Sequence, residues 1–166
     1  MQDDVLQRFI DEQEIKNVHQ RYCRGVDRMD WELVRSCYHP DATDDHGDYV
    51  GDVEGFIEYG KANLPNFEST NHCICNQVVE VQGDVAFAEH YAIAYHRIPA
   101  RDGEPVKDWI ANTRYVDRFE RRNGEWRIAA RRTLVDADRL EIVTETLIPP
   151  TEMRGSRDRT DPSYDR

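Results

Sequence analysis

Three residues combine a side chain able to do chemistry with an apolar setting: Asp27, His72 and Arg131. Asp27 closes the stretch Tyr22-Cys23-Arg24-Gly25-Val26-Asp27, at the end of an otherwise apolar helical face. His72 begins a strand rich in apolar and small residues, just after a loop, and Arg131 sits mid-strand on the face of Thr133 and Val135. A neutral imidazole, with an ordinary pKa of about 6.5, accepts a proton near neutral pH. A carboxylate bonded to its other nitrogen fixes the tautomer and stabilises the imidazolium that forms. Neither Cys23 nor any serine has a context that marks a nucleophile. The chemistry on offer is therefore proton abstraction beside a carbonyl or a leaving group, with Arg131 or a tyrosine stabilising the developing charge. Each residue also has a structural reading. Asp27 could cap the turn into Trp31, His72 could be a satisfied strand-start histidine, and Arg131 could pair with Glu89 or Asp117.

The elements that must position these residues follow from periodicity. Residues 5–26 place Ile15, Val18, Tyr22 and Val26 near one helical face, with His19 beside them as a packing residue. Asp30 is the better N-cap for a second helix over 31–38, which leaves Asp27 free. His39-Pro40-Asp41 stops that helix. The acid-rich stretch 41–51 lacks the ligand pattern of an EF-hand, so no metal is expected there. It reads as a solvated turn joining short strands, with His39 and His46 as loop structure. Asp52 caps a third helix from 53 to about 63.

From residue 70 the period becomes two, giving strands over 71–81, 85–98, 109–120 and 126–135, with Asn123-Gly124 as a hairpin signal. The first of these strands puts His72, Ile74, Asn76 and Val78 on one face. In the second, Ala86, Ala88, His90, Ala92, Ala94 and His96 share a face small enough to lie under the helices. Helices followed by a meander of long strands predict an α+β fold in which a curved antiparallel sheet wraps around the helices. One domain is expected over 1–147, with a polar tail over 148–166 that is disordered or laid over a neighbouring subunit.

Composition sets limits on partners. The 166 residues are 39% hydrophobic and 33% charged, which fits one globular domain with a real core. A net charge of −11 argues against non-specific nucleic-acid binding. No apolar run is long enough to span a bilayer, and the opening Met1-Gln2-Asp3-Asp4 has no signal-peptide character. Cys23, Cys37, Cys73 and Cys75 form no C-x-x-C pair and are expected as reduced core cysteines of a cytoplasmic protein.

The chain resembles the SnoaL-like branch of the NTF2-like superfamily over about residues 8–140. The likeness rests on Gly25-Val26-Asp27, on Tyr38-His39-Pro40-Asp41-Ala42 followed by Asp45-His46-Gly47, on Asn71-His72, and on the run from Tyr115 to Ile128. It implies a cone: a strongly bent sheet closed by helices, with a pocket inside. The pattern is similar to the dehydrochlorinase and scytalone dehydratase branch, whose His–Asp pair performs base-catalysed elimination with no metal or organic cofactor. The resemblance puts Asp27 and His72 at the dyad positions and Arg131 at a pocket arginine of the dehydrochlorinases. His96 is spaced for a second histidine, though strand parity leaves its face open.

These readings imply a cofactor-free lyase or isomerase with a small hydrophobic or aromatic substrate. His72 is then the base, Asp27 its orienting partner, and Arg131 with a tyrosine the electrophile. Tyr22, Tyr38, Tyr59 and Tyr91 are the candidate hydroxyl donors, and Phe56, Leu64, Phe67, Ile74, Tyr91, Ile93 and Tyr115 the expected pocket wall. Two other functions fit the same fold: a non-catalytic small-molecule binding protein, and the small structural subunit of an aromatic-ring dioxygenase. A homo-oligomer, dimer or trimer, is expected, because a cone leaves one broad sheet face in need of cover.

Overall fold

A computed structural model describes residues 2–147 and 154–165. Helix α1 (Gln2–Asp27) leads into the short α2 (Trp31–Ser36), strands β1 (Tyr38–Asp45) and β2 (Val50–Asp52), and helix α3 (Val53–Asn63). Four long strands follow: β3 (Ser69–Gln82), β4 (Val85–Ile98), β5 (Lys107–Arg122) and β6 (Glu125–Ile142). All six strands form one sheet in the order β2-β1-β6-β5-β4-β3. It is antiparallel except at β1–β6, which is parallel. The fold is α+β, with the helices packed against a curved, unclosed sheet. Extra residues interrupt the ladders in β3, between Ile74 and Gln77, and in β6, opposite Asn112/Thr113 and Arg118/Phe119, and such bulges bend a strand.

Local chemistry explains the joints. Asp30 Oδ1 accepts the N–H of Leu33 at 3.2 Å and starts α2. Asp52 Oδ1 accepts that of Gly55 at 2.8 Å and starts α3. A Cβ on Gly25 would lie 2.8 Å from the Cγ2 of Val34, so glycine lets α2 pack directly on the end of α1. Asn123 and Gly124 both have positive φ (54° and 81°), the geometry of a tight turn between twisted strands.

Several elements differ from the sequence expectation. Tyr38 opens β1 rather than ending α2, because β1 finds β6 as a parallel partner. β6 runs to Ile142 because β5 pairs with it along its whole length. The register shift between Ile74 and Gln77 reverses the facing of β3, so Val78 points outward at 51% exposure while Val79 and Val81 pack on the core. Cys73 and Cys75 are exposed, and only Cys23 and Cys37 belong to the core; all four are free thiols.

The core lies between the helices and the inner sheet face. Ile15, Val18, Tyr22 and Val26 of α1 and Ala86, Ala88 and Ala92 of β4 belong to one buried hydrophobic cluster. Residues 154–165 lie against the chain's own helix ends. Tyr164 donates to Asp30 at 3.1 Å, Arg28 pairs with Asp161 at 3.5 Å, and Arg157 donates to the carbonyls of Leu64 (2.9 Å) and Phe67 (2.7 Å). The remainder of the expected tail, 148–153 and 166, lies outside the described residues. Among the described residues, no helix is long and apolar enough to cross a membrane.

Candidate active site

Asp27 is the last residue of α1, and β3 passes directly beside it. Its carboxylate holds His72 at two points. Oδ1 accepts from the ring Nδ1 at 2.7 Å, and Oδ2 accepts from the backbone N–H of His72 at 3.0 Å. An ionised carboxylate only accepts, so Nδ1 carries a proton, and the neutral ring presents its lone pair at Nε2. The His72 side chain is 7% exposed and that of Asp27 14%. Dry surroundings strengthen the pair and limit competition from water.

His72 forms part of the wall of a cavity of about 390 Å³. That volume suits a small molecule. Its lining is mainly apolar and aromatic: Tyr22 and Val26 from α1, Trp31 from α2, Phe56 and Tyr59 from α3, Leu64 and Phe67 from the following loop, and Trp109, Ala111 and Tyr115 from β5. The polar lining residues are His46, Asp48, Asn63, Asn66, His72, His96, Thr113 and Thr133. His96 faces inward, stacked on Trp109 at 4.6 Å and edge-on to His72 at 5.7 Å. Burial lowers its pKa to about 4, and the neighbouring His72 adds to the shift, so His96 is neutral at neutral pH.

Several expected wall residues lie elsewhere. Tyr91 and Ile93 sit on the outer sheet face, because Ala92, Ala94 and His96 take the inward positions of β4. Ile74 packs against the core cluster and does not line the cavity. Tyr38 is buried behind the wall, donating to Asp44 Oδ2 at 2.6 Å. Tyr22, Phe56, Tyr59, Leu64, Phe67 and Tyr115 do line it.

Arg131 is also behind the wall. It is a register partner of Asp117 on β5 and of Asp44 on β1. Its guanidinium bonds both Asp117 oxygens (2.8 and 2.6 Å) and lies 4.1 Å from the ring centre of Tyr22 and 4.5 Å from that of Tyr115. It touches no part of the cavity surface. Burial opposes its charge, but the charge and hydrogen bonds of Asp117, together with Tyr38 and Tyr22, outweigh that and keep its pKa well above the ordinary arginine value. The ion-pair reading with Asp117 describes its contacts, and Glu89 pairs instead with Arg114 at 2.8 Å. His19, His90 and Asp117 bring three possible metal-ligand atoms within 4.8 Å of one another. Arg131 occupies that corner, taking both Asp117 oxygens and donating to His19 Nδ1 at 3.3 Å. The donor set therefore fits a buried ion pair better than a cation.

A second imidazole–carboxylate pair was not legible as such in the sequence. His46 Nδ1 bonds Asp44 Oδ1, and His46 Nε2 lies 3.3 Å from the Tyr22 hydroxyl and 3.2 Å from Thr133 Oγ1. Asp44 is 1% exposed. Burial pushes its carboxyl up, but the bond and charge of His46, with Arg131 and Tyr38, hold it below the usual carboxylate range. The available signal was the alternation Ala42, Asp44, His46: Ala42 and Asp44 are buried positions of β1, and His46 directly follows its last residue. The abundance of acids in 41–51 hid it.

The description "SnoaL-like domain" matches residues 7–132. No curated protein sequence matches the chain. A type 2 hexachlorocyclohexane dehydrochlorinase has a similar structure, with a TM-score of 0.76 at 19% identity, covering 89% of this chain and 99% of that one. A candidate scytalone dehydratase from Novosphingobium aromaticivorans gives 0.72 at 16%, covering 93% and 100%. The Kfla4162 protein from Kribbella flavida gives 0.72 at 22%, covering 80% and 95%. At these identities the likeness is one of fold.

Proposed function

From the premise that the chain belongs to the SnoaL-like domain family, we propose that it is a lyase acting by general base catalysis, with no metal or organic cofactor. The observation that carries this reading is the pair of hydrogen bonds that Asp27 accepts from the ring and the backbone of His72 at the wall of an apolar cavity. His72 Nε2 takes a proton from carbon beside a carbonyl or a leaving group. The C–H electrons form a double bond, and the leaving group departs. Asp27 holds the ring and stabilises the imidazolium, a role that contributes about 10²- to 10⁴-fold to rate in general base catalysis. The aromatic lining favours a small, mainly apolar cyclic substrate. Arg131 acts through Tyr22 and Tyr115, whose rings it supports from behind. The similar structures include proteins named for the elimination of hydrogen chloride and of water, which agrees with this class of reaction.

The test is turnover of two probes, hexachlorocyclohexane and a β-hydroxytetralone, by the protein and by His72→Ala. Product formation that disappears in the variant supports the base. Full activity in His72→Ala, or tight probe binding without any product, would overturn it in favour of a binding protein.

A further inference from the structure

We propose that Cys73 and Cys75 form a binding site for monovalent copper at the edge of the sheet, apart from the cavity and its chemistry. Cysteine is among the side chains most often buried. Cys23 and Cys37 follow that pattern, whereas Cys73 and Cys75 are exposed, and all four are free thiols. The exposed two stand two residues apart on β3, which is the edge strand of the sheet. Alternation along a strand gives them one face. Asn71, Cys73 and Cys75 are exposed while His72 and Ile74 are partly buried, so that face is the outer one.

Their hydrogen bonds are with neighbours on the same strand. Cys73 Sγ donates to Asn71 Oδ1 at 3.2 Å, and Cys75 Sγ donates to the carbonyl oxygen of Cys73 at 3.5 Å. A serine would make either bond, so the bonds give no reason for sulfur. Both side chains lean toward the start of β3, which turns the Cys75 thiol toward Cys73. The ladder to β4 slips at the same place. Ile74 faces Ala92 and Gln77 faces His90, so Cys75 and Asn76 together oppose Tyr91. A bulge of this kind re-aims side chains at a sheet edge.

Spacing separates the uses of two thiols. Residues i and i+2 of a strand lie about 6.7 Å apart, from a rise of roughly 3.3–3.4 Å per residue. A disulfide needs its Cβ atoms about 3.8 Å apart, so an extended strand resists closing one. An ion between the sulfurs removes the mismatch, because two metal–sulfur bonds of about 2.3 Å span roughly 4.6 Å in line. The number of donors then selects the ion. Thiolates favour monovalent copper, zinc and iron–sulfur clusters. Structural zinc and iron–sulfur clusters each take four protein ligands. Among the described residues, the group of three metal-ligand side chains is His19, His90 and Asp117, in the core and away from β3's outer face. Cys73 and Cys75 thus offer two strong donors, the set that monovalent copper accepts in a linear arrangement. Binding forms two copper–sulfur bonds and releases both thiol protons to solvent. The bis-thiolate complex carries one negative charge, and no electron is transferred. The ion takes no part in the reaction proposed for the cavity.

The experiment titrates the reduced protein with copper(I) under nitrogen, in competition with the coloured chelator bicinchoninate, and counts bound ions by native mass spectrometry. One copper per chain is expected. Cys73→Ser and Cys75→Ser should each weaken binding by about 100-fold or more, the scale on which a second linked contact adds to a first. Both substitutions are on the exposed edge, and circular dichroism checks that the fold is kept. No copper bound by the unaltered protein, or undiminished binding in either variant, would overturn the site. A parallel titration with zinc separates the remaining alternative. Zinc binding that is lost in Cys73→Ser, at one ion per two chains, would overturn the copper assignment in favour of a four-thiolate site between copies. Turnover by His72 should be the same in both serine variants as in the parent, so this test and that of the base stand apart.

Discussion

Arg131 and Asp117 are register partners across β5 and β6, and they meet through two hydrogen bonds with both side chains fully buried. Asp44 stands in register on the other side of Arg131. The three charges form a row across three strands, beneath the rings of Tyr22 and Tyr115. The row fixes the cavity wall from behind and connects, through Tyr38, to His46.

Arg131→Met should therefore cost stability first. It leaves Asp117 and Asp44 buried without their cation, a loss of about 3–5 kcal/mol for breaking a buried pair from one side. Urea unfolding of the variant measures this. A variant as stable as the parent would mean that Arg131 does not organise the wall.

Asp27→Asn should leave the fold in place and impair turnover. The amide can still accept from the backbone of His72, but it no longer fixes the ring tautomer or stabilises the imidazolium. A fall in kcat of about 10²- to 10⁴-fold is expected, with a smaller change in KM. The ¹⁵N shifts of the His72 ring should show a change in tautomer. An unchanged tautomer together with unchanged kcat would remove Asp27 from the mechanism.

Stability should fall with acid before carboxylates titrate. Burial lowers His96 from its ordinary 6.5 to about 4 and His90 to about 3, and lowers His19 in the same direction. The unfolded chain takes up these protons near pH 6.5, whereas the folded protein refuses them until pH falls to about 4 or below. Between those limits the unfolded state binds more protons, so lowering the pH destabilises the folded state. Unfolding near pH 5 should take up about two to three protons, and His96→Phe should reduce that by about one. Melting curves at several pH values measure it; a Tm independent of pH between 7 and 5 would contradict the assignment.

Val78, Phe87, Tyr91, Tyr95 and Val116 leave an exposed apolar surface on the outer sheet face, the side away from the helices. We expect a second copy of the chain to cover it, as exposed patches of this kind commonly mark interfaces. Light scattering should give a dimer or trimer at micromolar concentration, and Val116→Arg should shift it toward monomer. A monomer in both would reject this arrangement.

Arg157 ties residues 154–165 to the loop that carries Leu64 and Phe67. Arg157→Ala should lower stability by about 1 kcal/mol, the net worth of such bonds when partly exposed to water. Because both loop side chains line the cavity, KM should rise more than kcat falls. Equal KM values would mean that the segment merely rests on the loop.

The sequence alone determined the order of elements, the caps at Asp30 and Asp52, and the candidate pairing of Asp27 with His72. The first two depend on local signals (a hydrophobic period, a capping residue, a turn dipeptide), whereas the pairing came from the family resemblance of the motifs that hold the two residues. The tertiary structure decided what depends on register. One shift in β3 reversed the facing of Val78, and the inward parity of β4 sent Tyr91 and Ile93 outside while placing His96 within. The parallel pairing of β1 with β6 put Asp44 beside Arg131 and brought His46 to the cavity, although the sequence separates Asp44 from Arg131 by most of the chain. A strand's neighbours set the partners of its charged residues, and those neighbours are fixed only when the sheet assembles on its core.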